Sequence, residues 1–319
     1  MKSSALIAGV LYAMGAGMFW GLVFVAPLML PEYPGLLLSF GRYLAYGLIA
    51  LLLAVGDRRR ILRLPRSAWI EALKLCVVGN LLYYALLASA IQLADAPLPT
   101  MIIGTLPVVI AIASNWSPGH PSESIAWGKL APSLLIISAG LLLVNWSELQ
   151  HIGARSLHDY ALGAVLASAG VATWTWYPIR NARFLRAHPE VGPATWATVQ
   201  GLATLPLALA GFLGYGLYAH LSGSGFAWPF GPAPLRFVGL MLFIGLTASW
   251  LGILLWNQAS QRLPTSLVGQ LIVFETLFAM AYAFCLRGTL PSLAVSAGIA
   301  LLCIGVAVGT RAFRRHAGA

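Results

Sequence analysis

Residues 246–311 read LTASWLGILLWNQASQRLPTSLVGQLIVFETLFAMAYAFCLRGTLPSLAVSAGIALLCIGVAVGTR. Three apolar runs fill the stretch, each about twenty residues long, the length a helix needs to cross a hydrocarbon core of roughly 30 Å. Short polar breaks at 257–264 and 287–291 separate them. The middle run carries Glu275, a carboxylate where water should be absent, and if charged it costs about 2.5–3.5 kcal/mol there. It is therefore expected to be protonated or paired. Either it serves the function, receiving a substrate ammonium or exchanging a proton, or it makes one hydrogen bond to a neighbouring helix.

The stretch has an earlier counterpart. Placing Ala259, Ser260 and Gln261 over Ala90, Ile91 and Gln92 carries Gly269 onto Thr100 and Thr276 onto Pro107, with an apolar run after both. Gly298 and Gly305, seven apart, echo Ser133 and Gly140, also seven apart. The pattern predicts two copies of one unit, residues 1–150 and 151–319.

Composition agrees with a membrane reading. Of 319 residues, 59% are hydrophobic and 9% charged, with a mean hydropathy of +0.83, leaving too few solvating groups to cover a soluble globule. The net charge of +10 would suggest nucleic acid in a soluble protein, but here the bases sit in short loops, so no nucleic-acid partner is expected. The first apolar run, 5–30, exceeds a signal-peptide core and lacks a cleavage site, so it is read as a helix. Cys76, Cys285 and Cys303 fall singly in apolar runs and the six histidines show no ligand spacing. Neither a disulfide framework, a metal nor a cofactor is indicated.

Apolar runs and breaks predict an all-α, polytopic protein of ten spans, at 5–29, 35–56, 68–93, 97–115, 126–144, 160–178, 193–219, 235–257, 265–286 and 291–311. With the N-terminus inside, 15 of the 19 basic residues gather on one face, among them Arg58, Arg59, Arg60, Arg63 and Arg66; Arg42, Arg155, Arg236 and Arg287 remain outside. Both termini are then cytoplasmic. With five helices per copy, the second copy enters the bilayer inverted, and a binding site is expected near the midplane between copies.

The residues also resemble a known family. Phe19-Trp20-Gly21, the run 40–44 (FGRYL) and Leu106-Pro107-Val108 in the first half carry the likeness, with 254–259 (LLWNQA), Arg262-Leu263-Pro264, Phe274-Glu275 and the Gly298/Gly305 pair in the second. They resemble the drug/metabolite transporter superfamily, each half being similar to one EamA-type unit of five helices. Within it the chain looks most like the YddG-type exporters of aromatic and other neutral amino acids. It departs from the family pattern at Thr276, where a proline is usual, and at Arg287-Gly288, where a Gly-Glu pair is usual.

Several residues are candidates for the site. Gly17, Trp20, Phe24 and Pro27 share one face of helix 1, as a cavity wall with a kink or as ordinary packing. Trp174, Tyr177 and Pro178 repeat the aromatic-then-proline pattern in helix 6. In helix 3, Asn80, Tyr83 and Tyr84 share a face; in helix 8, Thr247, Trp250, Leu254, Asn257 and Gln261 form a polar stripe. Such stripes turn to water or to another helix, and interhelical hydrogen bonding is the alternative for Asn80 and Asn257. Pro27, Pro107 and Pro178 are the expected hinges. Arg42, about 8 residues or roughly 12 Å into helix 2, either clamps a carboxylate or snorkels to the headgroups. Trp146 and Trp228 are expected at the interface.

The leading functional expectation is a secondary exporter of small amphiphilic metabolites, chiefly aromatic and other neutral amino acids, in a bacterial cytoplasmic (inner) membrane, with the lipid bilayer as its other partner and a monomer plausible. The chain has no phosphate-cradling Gly-x-x-x-x-Gly-Lys loop, so its energy is expected from a gradient. A sugar-phosphate, nucleotide-sugar or drug transporter is the alternative, the first two needing several embedded bases where only Arg42 and Lys74 approach. An intramembrane lipid enzyme would need a clustered acid/base or nucleophile set that the loops lack.

Overall fold

The computed structural model describes residues 3–94, 97–116, 125–149, 156–223, 225–288 and 290–317. Among them every regular element is helical: α1 (Ser3–Met29), α2 (Gly35–Ile61), α3 (Arg66–Leu75), α4 (Tyr83–Ala94), α5 (Pro97–Ile103), α6 (Leu106–Trp116), α7 (Trp127–Leu149), α8 (Leu157–Ala187), α9 (Pro193–Leu221), α10 (Pro234–Ile244), α11 (Gly252–Arg262), α12 (Thr265–Leu271), α13 (Val273–Arg287) and α14 (Leu293–Ala317). A π-helical turn, Cys76–Leu82, joins α3 to α4, and another, Gly245–Leu251, joins α10 to α11. Among the described residues, eight helical stretches are long and apolar enough to cross a membrane. Their outward faces carry side chains such as Leu51, Leu52, Val55, Leu213 and Leu217, which suit lipid.

Two expected spans take a different form. The fourth is divided at Gly104 and Thr105 into α5 and α6, and its apolar part, Met101–Trp116, is short. The sixth is longer than its apolar run: α8 continues past Pro178 to Ala187, and the run Thr173, Trp174, Thr175, Trp176, Tyr177 and Pro178 makes it less apolar than the eight. Helices outrun apolar runs because backbone bonding continues while long basic side chains reach toward headgroups. Asp95 and Ala96, between α4 and α5, lie outside the described residues, as do 150–155 between α7 and α8.

Local chemistry sets the ends. Ser156 Oγ accepts from the Asp159 amide at 3.1 Å and donates to its carboxylate at 2.7 Å, capping α8. Pro193 and Pro234 start α9 and α10, where a missing N–H is no loss. Gly288 ends α13 with φ 62°, the left-handed conformation that a side chain disfavours.

The core lies between the two halves of the chain, because its closest helix pairs each join one half to the other. α7 packs on α14, α2 on α9, α1 on α13 and α11, α4 on α8, and α6 on α12. Glycines permit the approach: a Cβ on Gly140 would sit 3.0 Å from the Gly298 carbonyl, and one on Gly17 would sit 2.8 Å from the Glu275 amide. In a bilayer, where apolar surface gains little by leaving lipid, such backbone proximity is a main source of helix association.

Candidate functional site

Five aromatic rings from both halves meet at the centre. Trp20 of α1 stands edge-on to Trp174 of α8 at 5.9 Å and lies tilted against Trp256 of α11 at 5.0 Å. Trp174 in turn touches Tyr83 of α4 at 6.0 Å and Tyr177 at 6.2 Å. Edge-to-face and offset pairs of this kind add about 0.5–1.5 kcal/mol each beyond their buried area. Two glycines make the rings fit, since a Cβ on Gly252 would fall 2.6 Å from the Trp20 indole nitrogen, and one on Gly79 would fall 2.4 Å from the Tyr177 ring.

Beside this cluster are the embedded charges. Arg42, half-buried on α2, does not snorkel; its Nε donates to Ser249 Oγ at 3.0 Å, in the π turn of the other half, and its guanidinium lies 5.1 Å from the Tyr43 ring centre. Glu275 occupies the first turn of α13, just past the break at Ile272, whose carbonyl its amide meets at 2.9 Å. A helix N-terminus favours negative charge. α1 lies against both Arg42 and Glu275, packing on the π turn that Arg42 bonds and, through Gly17, on the backbone at Glu275. No direct ion pair joins Arg42 to Glu275 among the described residues.

Other candidates are placed differently. Asn257 is fully buried in a hydrogen-bond network: its Oδ1 accepts from Asn181 Nδ2 at 2.9 Å, while Asn181 Oδ1 accepts from Trp196 Nε1 at 2.8 Å and Gln200 Nε2 at 3.4 Å. The Tyr177 hydroxyl joins this network through Gln200 Oε1 at 3.0 Å, so Tyr177 links it to the aromatic cluster. Trp250 donates to Thr198 Oγ1 of α9 at 3.1 Å. Tyr84 bonds the Gly35 carbonyl at 2.6 Å, and Phe24 is half-exposed. Asn80 Nδ2 is buried and without a partner. Pro107 follows the break at Gly104 and Thr105 by two residues, whereas α8 shows no break at Pro178; α1 runs through position 27. Trp228 packs against Phe212; the side chain of Trp146 lies outside the description.

The sequence reading missed Ser249 and Trp256 as neighbours of the site, and Asn181 and Gln200 as network members. The helix 8 stripe assumed an α-helical repeat throughout, but the π turn uses wider i→i+5 bonds. Even so, Trp250 and Asn257 both turn to α9, bonding Thr198 Oγ1 and the Pro193 carbonyl, whereas the Thr247 hydroxyl bonds back to the Phe243 carbonyl. The doubled spacing was the available signal. The π turns begin at 76 and 245 and end at 82 and 251, each boundary 169 residues beyond its counterpart, which puts Asn80 and Ser249 at equivalent places.

A bundle of membrane-length helices enclosing aromatic rings and embedded charges between its halves defines a polytopic membrane protein with an internal polar site. Comparison with known proteins names the class: the chain belongs to the EamA-like transporter family, of the drug/metabolite transporter superfamily, and is a membrane transporter. Residues 7–146 match the EamA-like transporter family itself. The whole chain is similar to the inner membrane protein YtfF of Escherichia coli (strain K12), 51% identical over 308 residues that make up 96% of each chain. One solved crystal structure shares the fold at TM-score 0.72 and 21% identity, over 99% of both chains.

Proposed function

We propose that the protein is a ten-span secondary transporter of the inner membrane that exports aromatic and other neutral amino acids by alternating access. Its two halves, 1–150 and 151–319, are read as inverted repeats with both termini cytoplasmic. The repeat is supported by helix pairings that exchange with the halves: α1 on α13 answers α8 on α6, α1 on α11 answers α8 on α4, and α2 pairs with α9 as α7 does with α14, while α6 on α12 has no such answer. The π turns at matched positions support it again, as does the gathering of 15 of 19 basic residues on one face.

The observation that carries the substrate class is the mixed aromatic cluster of Trp20, Tyr83, Trp174, Tyr177 and Trp256 beside a single arginine and a single glutamate. Aromatic rings reward an apolar side chain by burial and stacking, and one charge of each sign balances a zwitterion. A phosphate substrate would need more cation; Lys74 is exposed at the end of α3, away from the centre. The test is uptake by the purified protein in proteoliposomes, screened over neutral, acidic and basic amino acids and a sugar phosphate. The reading expects phenylalanine, tryptophan and leucine to be carried, and it fails if the sugar phosphate or a charged amino acid is carried in their place.

A further inference from the structure

We infer that Arg42 and Glu275 form a split receptor for the two ends of an α-amino acid, the guanidinium holding the carboxylate and the glutamate holding the ammonium. Three features of their setting lead there. Arg42 lies over the Tyr43 ring and hydrogen-bonds protein through its Nε, to Ser249, while its two terminal nitrogens have no acceptor among the described residues. That free edge is the fork that takes a carboxylate through two parallel bonds. Glu275 likewise has no donor to its carboxylate among the described residues, although its backbone is fixed by the α13 first turn and by the close approach of Gly17.

Two embedded ionisable groups of opposite sign, set about α1 and paired with no charge among the described residues, are expensive in a bilayer. A ligand carrying both charges repairs this. A zwitterion between them pairs each group and leaves the summed charge of the site at zero, whereas an amine leaves Arg42 uncompensated and an acid leaves Glu275 so. Tyr83 extends the aromatic wall of the site, its ring 6.0 Å from Trp174. The α-carbon then sits at the polar end, with the side chain directed to the Trp20–Trp174 pair. Arg42 belongs to the first half and Glu275 to the second, so the ligand bridges the halves whose relative motion the transport reading requires.

This assignment rests on the amino-acid reading above, and its test separates the two. Uptake of labelled phenylalanine into proteoliposomes is competed with unlabelled phenylalanine, with phenethylamine, which lacks the carboxylate, and with 3-phenylpropionate, which lacks the ammonium. For the wild-type protein each analogue is expected to compete about ten-fold or more weakly than phenylalanine, as loss of one charge-assisted contact implies. Arg42→Gln should erase the preference for phenylalanine over phenethylamine and keep that over phenylpropionate; Glu275→Gln should do the reverse. Arg42→Lys and Glu275→Asp, which keep the charges, should give intermediate ratios and serve if the neutral variants fold poorly. Analogues that compete as well as phenylalanine, or variants that weaken all three competitors in parallel, overturn the assignment while leaving amino-acid transport intact. Absence of amino-acid uptake alongside uptake of another class overturns the functional reading, and the assignment with it.

Discussion

Replacing Asn181 by alanine should destabilise the protein without changing what it carries. The Asn181 side chain is fully buried on α8 and joins three helices, donating to Asn257 of α11 and accepting from Trp196 and Gln200 of α9. Truncation leaves an indole N–H, an amide N–H and an amide oxygen without that partner. Interhelical hydrogen bonds in membranes average about 0.6 kcal/mol and reach about 1.7, and stranding a buried polar group adds roughly 1–3 kcal/mol in the worst case. The 3.4 Å contact to Gln200 is weak, and Asn257 keeps a bond to the Pro193 carbonyl at 3.3 Å. The expected loss is therefore about 2–4 kcal/mol. At about 2–4 °C per kcal/mol for a chain of this order of size, the apparent melting temperature in detergent should fall by roughly 4–16 °C. Asn257→Ala should fall less, and the double variant should lose less than the two single losses added together, because they share one bond. The reasoning is refuted if Asn181→Ala melts with the wild type, or if Asn257→Ala melts normally and alters substrate preference, which would return Asn257 to the substrate cavity.

Three more outcomes follow from the same geometry. Trp174→Ala, which opens room beside Trp20 and Tyr83, should shift competition toward bulkier amino acids at near-normal folded yield; a loss of protein instead would mark the ring as packing, worth about 3–5 kcal/mol. Gly298→Ile should force α14 from α7, since even a Cβ there would sit 2.9 Å from the Gly140 carbonyl, and lower stability by about 1–3 kcal/mol, readable by thermal unfolding. Single cysteines at the termini and in the 57–67 loop should be labelled only from the cytoplasmic side in spheroplasts and inverted vesicles, and termini on opposite faces would end the inverted-repeat reading.

The sequence carried the helical fold well, because run length and spacing report membrane helices almost directly. Periodicity carried the doubled pattern too, and the quoted 246–311 stretch contains all but the first residue of the second π turn, along with Glu275 and Trp256. The helix breaks were harder to read. In helix 9 the break falls at Ile272 with no proline, and in helix 4 it falls at Gly104 and Thr105, upstream of Pro107. Pro107 accounts for the helix 4 break, since it offers no N–H to the Ile103 carbonyl, whereas no proline marks the one in helix 9. The site was half legible: Trp20, Tyr83, Trp174, Tyr177 and Glu275 lie at or beside it, and Arg42 turns inward where headgroup snorkelling was the competing possibility. Asn257 could be read either way, since a polar residue in a span shows its role only with its partner, and that partner, Asn181, lies 76 residues away in the chain.

Counterflow tests the central claim most directly. Proteoliposomes holding the purified protein are loaded with unlabelled phenylalanine and diluted into a trace of the labelled compound. A carrier that exposes one site alternately to each side predicts a transient accumulation of label above its equilibrium level, abolished when the vesicles are loaded with buffer alone. Monotonic equilibration of the label, or no phenylalanine-dependent uptake at all, would contradict it.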